Sequence, residues 1–246
     1  MERALRVPRR LVRVLIAVVL VALVVWGLDW LARIEAQSLI ARSVQQAEHL
    51  ADRPSVTVRG WFFLPQLISG DYQEVDITVH DLQDGQLRLA TVTAHLYGAH
   101  VSLDQVVSGS VTTVPVDRTD EQATLTYPDL NAYLAARGEP VTLGAGPPGQ
   151  VKITMHTKIF GRGVSVSADA RVRATPGALR ITPTQLDTGN ALLDAVSRIV
   201  LGGQRSITIP TTPLPFGQHV TAISVGRTQL TVGAAGQHVR VAEQKT

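Results

Sequence analysis

Hydrophobic and polar positions divide the chain into three regimes. Residues 11–28 read LVRVLIAVVLVALVVWGL, apolar apart from Arg13. As a helix this run spans about 27 Å, close to the hydrocarbon thickness of a bilayer. From 30 to 52 the period is helical and amphipathic. Ala36, Leu39, Ile40, Val44, Ala47, Leu50 and Ala51 recur at three- and four-residue steps, while Arg33, Glu35, Gln37, Arg42, Gln45, Gln46 and Glu48 take the other side. Pro54 closes the segment. Such a helix either continues the apolar one or lies against a sheet.

From residue 55 the period is two. Strands are predicted at 55–59 and 72–80, then through Leu87 and Leu89 to Val92, Ala94 and Leu96, with a change of parity near Thr91 that reads as a bulge. Asp84-Gly85 supplies a hairpin turn. A helical turn at 101–108, strands at 111–118 and 122–126, and a helix at 129–137 between Pro128 and Gly138 follow. Residues 143–150, LGAGPPGQ, read as a flexible loop. Alternation returns at 151–156, 164–174 and 178–183. An amphipathic helix is predicted at 191–201, then Ile207 and Ile209 in a strand, a proline-rich turn at 210–217, and strands at 220–225, 229–233 and 237–241. These elements predict an antiparallel α+β fold with strongly curved sheets. Val, Ala, Leu and Ile line the dry faces, which suits an apolar cavity as well as a packed core.

Charge sharpens the reading of the first regime. The formal net charge of +3 over 246 residues is carried by residues 1–30, where Arg3, Arg6, Arg9, Arg10 and Arg13 face Glu2 and Asp29. The remaining 18 basic residues (23 less 5) balance 18 acidic ones (20 less 2). A neutral body lacks the basic face that nucleic acid requires. The arginines precede the apolar run, so the positive-inside rule places residues 1–10 in the cytoplasm and the body outside. The run is long for a signal peptide and no clean Ala-x-Ala site follows it. An uncleaved anchor is the preferred expectation and a cleaved signal the alternative. The domain organisation expected is therefore a basic tip with an anchor or signal segment at 1–30 and an exported domain at 31–246.

One stretch departs from the alternating pattern. Residues 60–72, GWFFLPQLISGDY, hold Trp61, Phe62, Phe63, Leu64, Leu67 and Ile68 between two strands. Connections normally run through water, so a loop this apolar either plugs the core or meets a lipid chain or membrane surface. Leu214, Pro215 and Phe216 form a second such cluster.

Candidate chemistry is sparse. The chain has no cysteine, which removes disulfides, thiol nucleophiles and thiolate metal sites. His49, His80, His95, His100, His156, His219 and His238 show no metal-ligand spacing. No nucleophile elbow or P-loop occurs. Gly144-x-Gly146-x-x-Gly149 matches the dinucleotide fingerprint by letter, but Pro147 and Pro148 forbid the helix it requires. Asp71 and Glu74 read as a solvated strand edge, and Asp117 beside Arg118 as an exposed ion pair.

At the two apolar clusters the sequence resembles a known family. Gly60-x-Phe62-Phe63-x-x-Gln66-x-x-Ser69-Gly70-x-Tyr72-x-Glu74-Val75 looks like the opening signature of the LmeA-type phospholipid-binding proteins of the actinobacterial envelope. Val114-Pro115-Val116-Asp117, Asp129-Leu130-Asn131 and Leu214-Pro215-Phe216-Gly217 follow in the expected order, and the similarity covers residues 34–241. Trp61 stands where the family usually has proline. The resemblance implies a tubular lipid-binding (TULIP/BPI-like) fold, with curved sheets wrapped around a long amphipathic helix and an apolar groove between. It also implies phospholipid and membrane as partners, no cofactor, no catalytic residues, and a role in envelope lipid or lipoglycan biogenesis. The residues expected to touch lipid are Trp61, Phe62, Phe63, Leu64, Leu67, Ile68 and Phe216. A solidly packed envelope scaffold is the alternative. An envelope hydrolase or transferase would need a convergent Ser/His/Asp set that the spacing does not show; a polar cleft gathering Asp117 with a histidine would revive it.

Overall fold

The computed structural model describes residues 9–47, 49–108, 113–159, 162–175, 178–186, 206–210 and 218–242. Its first element, α1 (Arg9–Ala47), is one unbroken helix of 39 residues. The apolar run and the amphipathic segment therefore join, and the second half of the helix also lies against a sheet. Among the described residues this is the one helix long and apolar enough to cross a membrane.

Two antiparallel sheets follow. The larger has the order β1-β2-β3-β4-β11-β10, built from β1 (Ser55–Arg59), β2 (Asp71–Asp84), β3 (Leu87–His100), β4 (Thr113–Thr126), β10 (His219–Val225) and β11 (Gln229–Ala242). The smaller runs in chain order through β5 (Val141–Ala145), β6 (Val151–Ile159), β7 (Arg162–Thr175), β8 (Ala178–Leu186) and β9 (Ile207–Pro210). Three short helices, α2 (Phe63–Ser69), α3 (Leu103–Ser108) and α4 (Tyr127–Ala136), sit at sheet ends. The long helix with curved antiparallel sheets is the α+β architecture expected of a tubular lipid-binding fold.

Several local expectations change. The strands predicted at 111–118 and 122–126 are one strand, β4, because the polar residues between them pair on both sides, with β3 and with β11. The strands at 229–233 and 237–241 likewise fuse into β11 across Ala234, Ala235 and Gly236. The parity change near Thr91 is present, since Leu87 and Leu89 pack in one core and Leu96 in the other. It is not a bulge: β2 and β3 hold one register from Asp71↔His100 to Asp84↔Leu87. The turn in side-chain direction occurs opposite Ala90, where Asp81 adopts a left-handed φ of 54°. Most of the predicted loop at 143–150 is strand and tight turn, with β5 reaching Ala145 and β6 starting at Val151. The helix predicted at 191–201 and the apolar cluster at Leu214, Pro215 and Phe216 lie outside the described residues.

Two cores result. The first joins the sheets through α4, with Leu125, Leu130, Leu134 and Leu230 against Val151, Ile181 and Ile209. Thr126 caps α4 by accepting from the Asp129 amide at 3.2 Å, and Pro128 occupies the first turn, where its missing N–H costs nothing. Asn131 then pins the helix to β5, donating to the Leu143 carbonyl at 3.0 Å and accepting from its amide at 2.6 Å. The second core places α1 and α2 over β1–β3, with Ala41, Val56, Val58, Phe63 and Val75 at its centre. From α1 it takes Ala32, Ala36 and Ile40, small or slender side chains at four-residue steps that let the helix approach the sheet. Leu39, expected on that stripe, is 53% exposed.

Candidate lipid-binding surface

The aromatic segment is not the irregular loop its composition predicts. Phe62 is the N-cap of α2, Pro65 falls in the first turn, and Gly70 closes the helix at a left-handed φ of 78°. Gln66 organises it. Its buried amide donates to the carbonyls of Phe62 at 2.8 Å and Arg59 at 3.3 Å, and its oxygen accepts from the Gln73 amide at 3.0 Å. Gly60 leaves room for that amide: a Cβ there would lie 2.3 Å from Gln66 Nε2. Ser69 donates to the Gln66 carbonyl and accepts from the Asp71 amide. Tyr72 packs on Phe63 with ring centroids 6.2 Å apart. Gly60, Gln66, Ser69, Gly70 and Tyr72 of the signature thus shape a short helix that lays apolar side chains on two sides.

Those side chains divide. Phe63 is fully buried in the second core, so the structure makes it a plug rather than a surface group. Leu67 packs against the same core and Leu64 is half-buried. Trp61, Phe62 and Ile68 face outward, at 92%, 50% and 76% exposed. Phe216 lies outside the described residues.

Two residues that sequence reasoning passed over hold α2 in place. Asp29 of α1 is 5% exposed, and its Oδ1 accepts from the amides of Phe63 and Leu64, each at 2.7 Å. Phe62 has no side chain able to cap, so a carboxylate from another helix satisfies these free amides. Arg33, one turn along α1, lies 3.5 Å from Asp29 and donates to the Gly60 carbonyl at 3.1 Å. Their signal in the sequence is an acid with a base four residues on, just after the apolar run.

Register defines the surface beside this helix. Cross-strand partners share a face, so one row of the larger sheet runs Val56–Ile77–Ala94–Glu121–Ala234–Val220. A neighbouring row runs Val79–Val92–Ala123–Val232–Ile223 and another Val58–Val75–Leu96–Thr119–Gly236. This face carries both cores, with half-buried Val92, Ala94 and Ala123 between them. Aliphatic side chains form a strip along this face, interrupted at Thr119, Glu121 and Gly236.

The strip has one polar point. Gln218, itself buried, donates to Thr119 Oγ1 at 3.0 Å and to Glu121 Oε1 at 2.6 Å. Burial pushes the Glu121 carboxyl above its usual range, against the opposing pull of the Gln218 hydrogen bond. Gly236 makes space for Gln218, whose Cγ would be 2.9 Å from a Cβ there. Neither Glu121 nor Gln218 stood out in the sequence: strand register sets Glu121 on the apolar face, and Gln218, just before β10, reaches it from 97 residues away.

Ionisable groups collect elsewhere. Arg59 bridges Glu74 and Asp76, and His95 Nδ1 lies 2.6 Å from Asp76. Burial raises the Asp76 pKa, but the hydrogen bonds from His95 and Arg59 win and leave it below the ordinary carboxylate range. Glu74, Asp76 and His95 approach metal-ligand spacing, yet the Arg59 guanidinium already supplies the cation there, making an ion-pair network. Asp117 does meet a histidine: His100 Nδ1 is 2.8 Å from Asp71 and its Nε2 is 3.3 Å from Asp117. His100 is thus held between two exposed carboxylates.

Comparison with known proteins agrees with the geometry. The family model described as LmeA-like phospholipid-binding matches residues 27–235, which span both cores and the Asp29 contact. No curated protein and no solved structure gives a significant match.

Proposed function

The chain belongs to the LmeA-like phospholipid-binding family, and on that premise we propose that it is a membrane-anchored envelope protein that holds phospholipid acyl chains on the inner face of its larger sheet. Phospholipid is the ligand of the family; the location, the anchor and the envelope role are our reading. Residues 1–30 form the cytoplasmic tip and the bilayer-crossing part of α1, and residues 31–246 the exported body. The observation that carries the reading is the set of mainly aliphatic rows, in one register from β1 through β11, beside α1 and α2. An acyl chain laid on such a strip gains about 0.8 kcal/mol for each methylene removed from water. Trp61, Phe62, Leu64, Leu67 and Ile68 form the lip over which the chain passes, and Phe216 is a lipid-touching residue on sequence grounds. Phe63 acts from within, by holding that lip to the core. A support role in envelope lipid or lipoglycan biogenesis is part of the same reading and comes from the sequence resemblance alone.

Native mass spectrometry of the full chain released from detergent tests this. Mass increments of one or two phospholipids that survive gentle ionisation and vanish on denaturation are expected. A bare polypeptide, still bare after incubation with envelope lipids, would favour a scaffold with a solidly packed interior.

A further inference from the structure

We propose that α2 is a second membrane contact: a short wedge lying in the headgroup region of the bilayer beside α1, locked there by Asp29. The proposal rests on the anchoring reading above, in which residues 11–28 cross the bilayer.

Position is the first support. Asp29 is the residue that follows the apolar run, and its carboxylate holds the first turn of α2 at 2.7 Å. Arg33 fixes the preceding Gly60 carbonyl. The start of α2 is therefore within one hydrogen bond of the point where α1 leaves the hydrocarbon. The side chains are the second support. Trp61 and Ile68 project almost fully from the body, and Phe62 is half exposed. The chain has three tryptophans, and all three stand near this junction in the chain: Trp26 and Trp30 flank Asp29 on α1, more than half exposed, and Trp61 lies two residues before the Phe63 amide that Asp29 holds. Tryptophan concentrates at membrane–water boundaries, where its ring is apolar and its N–H stays wet. The third support is the cost of the latch. A carboxylate as buried as Asp29 is tolerated only when satisfied, and here two amides and a guanidinium satisfy it. Such a latch holds α2 at one height relative to the anchor, which turns the lip of the sheet face toward the leaflet.

The test uses the full chain in phosphatidylcholine–phosphatidylglycerol vesicles, with Trp26→Phe and Trp30→Phe leaving Trp61 as the sole tryptophan and selective tryptophan excitation avoiding the tyrosines. Blue-shifted emission, quenched by acyl-brominated lipid and shielded from iodide, is expected. Water-like emission quenched by iodide alone, in a chain that stays with the vesicles through an alkaline wash, overturns the wedge and leaves the anchor standing. A chain that washes off overturns the anchor, and the wedge with it. Asp29→Ala in the same background is expected to abolish quenching by brominated lipid while the anchor holds; unchanged quenching overturns the latch. If D29A loses its circular dichroism spectrum, Asp29→Asn, which keeps one acceptor oxygen, makes the same comparison with partial loss expected.

Discussion

Neighbouring residues in one apolar cluster do different work, and burial decides which. Phe63 is 1% exposed and Trp61 is 92% exposed, two positions apart. Phe63→Ala is expected to cost about 3–5 kcal/mol in denaturant unfolding, the range for removing a buried aromatic. Trp61→Ser is expected to stay within about 0.5 kcal/mol of wild type and to weaken retention of phospholipid; equal destabilisation by both would contradict the division. His100 offers a pH test. Its hydrogen bond to Asp71, then that to Asp117, raises its pKa against a lesser effect of burial. A histidine raised in the folded state stabilises through its charged form. That contribution is complete below the ordinary histidine range and is lost as pH rises through the raised value. The stability difference between wild type and His100→Gln should therefore shrink with rising pH across that window, and a difference flat in pH would refute the assignment.

At the scale of elements, local pattern and long-range contact separate cleanly. The period-two stretches, the Asp84-Gly85 hairpin and the Pro128–Gly138 helix were legible because each depends on residues near in sequence. α2 was not, although its signature was read, because its cap comes from Asp29, 34 residues from the Phe63 amide. The fusion of β4 was hidden for a related reason: polar Thr119, Asp120 and Glu121 break an alternation that pairing on both sides preserves. Gly70 ties α2 to the sheet, since its carbonyl accepts from the Val101 amide at 2.8 Å. Gly70→Ala would place a Cβ 2.9 Å from the Val101 carbonyl oxygen at a φ of 78°. A loss of roughly 1–3 kcal/mol is expected from that strain, whereas Gly138→Ala, at a φ of 72° with open space around it, should lose less. Equal losses in thermal unfolding would show that the close approach is unimportant.

Across the whole molecule, α1 sets a direction. Beyond Leu28, its last 19 residues rise about 28 Å along the β1 side of the larger sheet, so α2 lies at the anchor end and α4 with the smaller sheet beyond. The fold class and the apolar character of the sheet faces were readable from the sequence. The continuity of one face across both cores was not, because register is a property of six strands together. On the proposed reading, this face holds acyl chains. Photocrosslinking with a phospholipid carrying a diazirine in its acyl chain, followed by peptide mapping of the full chain in membranes, tests it most directly. Adducts on Val92, Ala94 and Ala123 are predicted. Adducts confined to α1, or to the opposite face around Asp76 and His95, would contradict it.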